Sequence, residues 1–152
     1  MSYLVDTNVL SELRRKQPDG NVVAWFRQRP RQSLYLSVLT LGEIRKGIAR
    51  LDEAPRSSRR QTLIDWLEQE LPAFFLGRLL AVDAQVADRW GCLLAGAARP
   101  LPAIDGLLAA TAQHHNLTFV SRNVKDFIGL NLDIINPWDQ ENGSACDSPP
   151  SK

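Results

Sequence analysis

At 152 residues the chain is sized for a single domain, and its 44% hydrophobic and 23% charged residues are ordinary globular usage, which argues against a disordered or low-complexity protein. No apolar run approaches the ~20 residues that cross a bilayer, and Cys92 and Cys146 offer neither a disulfide framework nor a zinc-ligand spacing. The formal charge of +1 conceals an asymmetry: the first 60 residues carry 12 Lys/Arg against 6 Asp/Glu, the remainder 6 against 11.

Tyr3 to Asp6 reads as a short buried strand, after which Thr7 and Asn8 offer side-chain oxygens to cap a helix through Val9, Leu10 and Leu13. Met1 to Asp6 lacks a basic region and its apolar run ends in a carboxylate, so a secretory leader is not expected and a cytoplasmic location is. Pro18-Asp19-Gly20 is a turn, and Asn21 is placed to cap a second helix with Val22, Val23, Trp25 and Phe26. Leu34-Tyr35-Leu36 is the next strand. Leu41, Ile44, Ile48 and Leu51 then recur at helical spacing, with Glu43, Arg45, Lys46 and Arg50 on the polar face. Ala54 to Arg60 reads as a basic linker, and Leu63, Ile64, Leu67 and Leu71 as a helix that Pro72 stops.

Leu79 to Val82 is a short strand, and Asp83 caps a helix containing Val86, Trp90, Cys92, Leu93 and Leu94, in which Cys92 is expected to be a small buried apolar group. Leu101-Pro102 breaks the chain before a helix from Asp105 to His115, closed by Asn116. Leu117 to Ser121 is an apolar strand, Asn123 to Phe127 a short helix, and Leu132 to Ile135 a last strand ended by Pro137. Trp25, Trp66 and Trp90 fall at helical apolar positions and read as core, and the His114-His115 pair suits a helix C-terminus. The tail from Asp139 to Lys152 has the polar composition of a disordered segment, leaving residues 1–138 as the folded domain.

Strands alternating with helices predict an α/β fold, a central mostly parallel sheet with helices on both faces. Ligands of such sheets bind beyond the carboxyl ends of the strands. Asp6, Ser121 and Asn123 follow strand ends and therefore gather at that edge from distant parts of the sequence.

Four segments resemble the PIN-domain family, in particular its bacterial VapC-type toxins of type II toxin–antitoxin systems: Leu4-Val5-Asp6-Thr7-Asn8, Ser37 through Glu43 (SVLTLGE), Ile104 through Ala112 (IDGLLAATA), and Ser121 through Phe127 (SRNVKDF). They stand in the family's order and, together, span about 120 residues. The resemblance implies a PIN-like fold and a metal-dependent endoribonuclease that cleaves single-stranded regions of RNA. Asp6, Glu43 and Asp105 become ligands for Mg²⁺ or Mn²⁺, with Thr7, Asn8 and Ser121 in support. Asn123 occupies a fourth catalytic position that is often Asp, and Asp126 is a partial substitute for the missing charge. Arg45 and Lys46 are candidates to hold the RNA backbone. The resemblance also implies a homodimer and an antitoxin protein whose peptide covers the site.

Hard cations prefer carboxylate and water oxygens, and three converging carboxylates make electrostatic sense mainly around a cation. Each acid also has a plain structural role open to it. Asp6 suits a helix cap, Glu43 completes a Thr40-x-x-Glu43 capping box, and Asp105 favours a helix N-terminus. Two other function classes compete. A receiver-like domain phosphorylated beside Mg²⁺ usually wants an adjacent acidic pair where Val5-Asp6-Thr7 has one carboxylate, and a haloacid-dehalogenase-like phosphatase wants Asp where Asn8 stands. A PIN-like RNA-binding module without catalysis is the third alternative.

Overall fold

The computed structural model describes residues 1–51 and 57–139. Five strands, β1 (Tyr3–Val5), β2 (Leu34–Ser37), β3 (Leu79–Leu80), β4 (Thr118–Val120) and β5 (Ile134–Ile135), form one sheet in the order β3-β2-β1-β4-β5. Every pairing is parallel, with Tyr3 opposite both Leu34 and Thr118 and Val120 opposite Ile135. The strands are short because both faces are covered and each needs only a few apolar residues to span the core. The chain proceeds outward from β1 to β3 and then outward again on the other side through β4 and β5. The winding reverses between β1 and β4, and that is where α/β sheets open a crevice at their carboxyl ends. A receiver-like domain has the order 2-1-3-4-5, so the observed order removes that alternative.

Alternation along the strands assigns the two faces. Tyr3, Val5, Leu34, Leu36 and Val120 pack against α1 (Thr7–Leu13), α2 (Gly20–Arg27), α3 (Val38–Ala49) and the stretch from α4 (Ser58–Asp65) to α5 (Leu71–Phe74). Leu4 and Phe119 face the other way, onto Leu93 of α6 (Ala84–Gly96) and Leu108, Ala109 and Ala112 of α7 (Ala103–His114). Each fully buried side chain of this kind contributes about 1.5–3 kcal/mol. A close helix approach fixes α7 on α6. A Cβ on Gly106 would stand 2.9 Å from Nε1 of Trp90, so only glycine admits the half-buried indole here.

Several local expectations are corrected. Asp6, rather than Thr7 or Asn8, caps α1, and Asp19, rather than Asn21, caps α2 by accepting from Asn21 N and Val22 N. In both cases the acid immediately before the first turn has the shorter reach to the free N–H groups. Ser58 to Arg60 are the first turn of α4, capped by Ser57, and residues 54–56 of the expected linker lie outside the described residues. Pro72 does not stop the helix. A π turn at Trp66–Glu70 intervenes, and Pro72 falls in the first turn of α5, where its missing N–H is least costly. The strands expected to run to Val82 and from Leu132 are two residues each, and Cys92 is exposed on α6 rather than buried. Trp25 and Trp66 are core as expected. Residues 140–152 of the expected tail are outside the described residues, and no described helix is long and apolar enough to cross a membrane.

Candidate active site

The crevice between β1 and β4 is built around Asp6, which ends β1 and is 7% exposed. Its Oδ1 accepts from Thr7 N at 2.8 Å, and its Oδ2 accepts from Ser121 Oγ at 2.7 Å and from Asn8 Nδ2 at 3.3 Å. Ser121 ends β4, so its hydroxyl ties together the two strands at which the winding reverses. Ser121 Oγ in turn accepts from Asn8 Nδ2 at 3.2 Å and from Asn123 N at 3.0 Å, and Asn8 Oδ1 accepts from Arg122 N at 3.3 Å. The capping role and the site role of Asp6 coincide, because one oxygen caps α1 and the other faces the network.

Glu43 enters from α3. Ser37 caps that helix through Leu39 N at 3.1 Å, so α3 begins three residues earlier than a Thr40 cap would require. Thr40 is the third helical residue, fully buried, with no hydrogen-bond partner for its hydroxyl, and Glu43 lies a full turn too late to close a capping box. That structural role for Glu43 is overturned. Its Oε1 accepts instead from Thr7 Oγ1 at 3.1 Å, 36 positions away in sequence. Asp105 stands in the first turn of α7, which Pro102 caps without any side-chain bond.

The three acids share an electrostatic environment. Burial raises the pKa of Asp6 most, opposed by the bonds from Ser121 and Thr7. Burial also leads for Glu43, whose pKa is pushed up further by the charges of Asp6 and Asp105 and eased by Thr7 and Lys46. For Asp105, burial again comes first, then the negative charges of Asp126 and Asp6, with Arg99 opposing. Each acid thus resists ionising, and repulsion among the acids adds to the resistance of Glu43 and Asp105. Among the described residues, no three carboxylate, His or Cys side chains stand close enough to enclose an ion as placed; like charges without a cation favour such separation. A hard divalent cation fits the donor set on chemistry, since every acid supplies oxygen and each gains from a positive neighbour.

A consequence for stability follows from Asp105. Its folded pKa lies above the ordinary Asp value of 3.8, so folding is least penalised when the group is protonated in both states. Stability is lost as the pH rises through the folded pKa. Without metal, Asp105→Asn is expected to melt higher than the unsubstituted protein at pH 7, by about 1–4 °C. The gain disappears below pH 3.8. Melting curves in EDTA across this range check it, and an equal gain at both ends would show the effect is not electrostatic. Asp6→Asn is a poorer probe, because Asp6 accepts three hydrogen bonds that an amide cannot all keep.

The remaining expected residues separate into two groups. Thr7, Asn8 and Ser121 are in the network. Asn123 reaches it by its backbone N–H, while its exposed side chain caps nothing; Asp126, exposed beyond it, is the acid whose charge reaches Asp105. Arg45 is turned to Glu68 at 2.6 Å, and Lys46 is the cation that acts on Glu43. Sequence reading missed Arg99. It precedes α7, acts on Asp105 and donates to the carbonyls of Asp126 at 2.8 Å and Ile128 at 3.4 Å. A lone arginine in a loop carries no periodic or motif signal that would have found it.

Comparisons with known proteins agree with this geometry. The family model described as PIN domain matches residues 3–128. The toxin FitB of Neisseria gonorrhoeae is 36% identical over 138 residues, covering 89% of this chain and 97% of FitB. The VapC ribonuclease Y4jK of Sinorhizobium fredii is 36% identical over 139 residues, covering 90% of this chain and 97% of its own. Among solved structures, a chain of FitAB bound to an IR36 DNA fragment superposes with a TM-score of 0.82 at 34% identity, covering 91% of this chain and 97% of that one.

Proposed function

Because the chain belongs to the PIN-domain family, we propose that it is a divalent-metal-dependent endoribonuclease, acting on single-stranded regions of RNA as the toxin of a toxin–antitoxin pair. The observation that supports this reading is that Asp6, Glu43 and Asp105, from three distant segments, lie within reach of one another's charge near the reversal of the sheet, with Thr7 bonded to both Asp6 and Glu43. Residues 1–138 form the nuclease domain in this reading.

Asp6, Glu43 and Asp105 would hold Mg²⁺ or Mn²⁺, which would supply acidification of a water and screening of the charge on the scissile phosphate. Ser121, Asn8 and the Thr7 N–H fix the Asp6 carboxylate, and the Thr7 hydroxyl fixes that of Glu43. Such outer hydrogen bonds orient the ligand oxygens and keep the acids from swinging to solvent. Asp126 supplies near Asp105 the negative charge that Asn123 lacks. Lys46 and Arg99, whose charges reach Glu43 and Asp105, are the cations available to the RNA phosphates, while Arg45 reaches RNA only by leaving Glu68. An antitoxin that covers the crevice is the expected protein partner, and the toxin itself is a homodimer.

The purified chain is expected to cleave single-stranded RNA with added Mn²⁺ or Mg²⁺ and to stop in EDTA, with its melting temperature rising as Mn²⁺ is titrated in. Binding of RNA without cleavage at any metal concentration would instead establish the RNA-binding module. Cleavage that persists unchanged in EDTA would remove the metal from the reaction.

A further inference from the structure

We propose that Arg122, seated over the ring of Trp138, binds a phosphate of the substrate RNA beside the scissile one. This rests on the ribonuclease reading. Three carboxylates around one divalent ion keep a net negative charge, so a polyanion laid across them must be held by cations outside the metal. Most arginines are engaged elsewhere: Arg14, Arg15 and Arg45 pair with Glu70, Glu12 and Glu68, and Arg78 and Arg99 donate to backbone carbonyls. Arg122 is not.

Its backbone is part of the crevice. Arg122 stands beyond the carboxyl end of β4 and Trp138 beyond that of β5, so both lie on the sheet edge that carries the acids. Ser121, immediately before Arg122, donates its hydroxyl to Asp6 at 2.7 Å. Arg122 donates its own backbone N–H to Asn8 Oδ1 at 3.3 Å, and the Asn8 amide donates to Asp6 at 3.3 Å. Arg122 is thus tied to the Asp6 carboxylate through two neighbours at once. Because β5 lies on the far side of β4 from β1, the Arg122–Trp138 pair continues the edge outward from the acids and gives a strand laid across them its next point of contact.

The side chain is oriented but uncommitted. Its guanidinium lies 5.0 Å from the centre of the Trp138 ring. That ring is itself placed, since Asn21 at the start of α2 donates to the Trp138 carbonyl at 2.9 Å, Trp138 N donates to Asn136 Oδ1 at 3.0 Å, and the partly buried side chain packs against the core. Arg122 is exposed, and among the described residues its guanidinium makes no hydrogen bond or ion pair. Stacking uses a face of the guanidinium and leaves its N–H edge, the part that grips a phosphate with two parallel bonds.

A purely structural purpose explains this arrangement less well. An exposed cation–π contact adds little to a fold, and the segment after β5 is already held by Asn21 and Asn136. What the stacking does supply is order in a long side chain, so that its freedom is given up on folding rather than on binding RNA.

The test measures the affinity of the full chain for a short fluorescent single-stranded RNA by anisotropy, in EDTA, over a range of KCl concentrations. Arg122→Gln is expected to weaken binding about tenfold at low salt and to flatten the slope of log Kd against log[KCl] by about 0.7, the share of one single-strand phosphate contact. Arg122→Lys keeps the charge without the fork, and Trp138→Leu keeps the cation without its support, so both should retain the slope and lose less affinity. With Mn²⁺ present, Arg122→Gln should raise KM about tenfold and leave kcat within about twofold. Both Arg122 substitutions change an exposed side chain whose backbone bond remains, so both stay folded. A structural role would lower the melting temperature without moving the salt slope. An unchanged slope in Arg122→Gln therefore overturns the proposal, as does an effect seen only on the affinity for an acidic peptide. Cleavage by Arg122→Gln at the original KM overturns it and leaves the nuclease reading intact. A flattened slope in a chain that cuts nothing at any metal concentration supports the phosphate contact and counts against the nuclease reading alone.

Discussion

Asp6→Asn is expected to reduce metal-dependent RNA cleavage at least ~100-fold, because even the outer partners of a metal ligand typically cost 10–100-fold when removed. The asparagine keeps an oxygen to accept from Thr7 N and so retains the cap of α1. What it loses is the charge, together with the Oδ2 acceptor that meets the Ser121 hydroxyl at 2.7 Å and the Asn8 amide at 3.3 Å. The loss of fold stability should stay within the about 1–3 kcal/mol of the two hydrogen bonds at Oδ2, with Ser121 free to rotate its hydroxyl. Circular dichroism should therefore match the unsubstituted protein while cleavage is gone. Ser121→Ala is the graded companion, leaving the charge but not its orientation, and should fall between the two. An Asp6→Asn enzyme that cuts RNA at the original rate would falsify the site.

The second large effect is expected from Glu43→Gln. Glutamine can keep the bond from Thr7 Oγ1, seen at 3.1 Å, so thermal stability should change by less than about 1 kcal/mol. Cleavage and Mn²⁺ affinity should both collapse, because a hard cation loses an anionic ligand. Calorimetric titration of Mn²⁺ beside the nuclease assay checks this. Wild-type cleavage over a range of Mg²⁺ concentrations would take Glu43 out of the site and leave the metal resting on Asp6 and Asp105. Thr40 supplies the control. Its hydroxyl is buried without a partner and caps nothing, so Thr40→Val should be at least as stable as the original protein and equally active. Ser37→Ala, which removes the true cap of α3, should cost about 0.5–2 kcal/mol.

Much of this was legible in the sequence because the signals were local. Period and punctuation were enough to find the five strands, the long helices and the αL residue Asn116, whose φ is 54°. The gathering of Asp6 and Ser121 followed from one general rule about strand ends. Helix starts were read less well at Thr40 and Asn21, since Ser37 and Thr40, like Asp19 and Asn21, are equally good local cap candidates and only the backbone decides which one stands before the first turn. Pro72 misled for a related reason: a π turn leaves no mark in the hydrophobic period. The contribution of Thr7 to Glu43 and of Arg99 to Asp105 was hidden altogether. Those contacts join residues whose proximity depends on packing across the sheet's crevice.

The bond from Ser121 to Asp6 joins residues 115 positions apart, and it bears on when the protein becomes dangerous to its maker. A chain still being synthesised has Asp6, Thr7 and Glu43 in hand but nothing to close the far wall of the crevice. The pairing of β4 with β1 is a long-range closure that is slow to form in parallel sheets. At about 5–20 residues per second, the 115 residues between Asp6 and Ser121 take several seconds or more to synthesise, so the near wall of the crevice exists well before the far one. Latency is thus written into the strand order: the nascent polypeptide carries Asp6 and Glu43 early and closes their common site only once β4 has been made and has paired with β1.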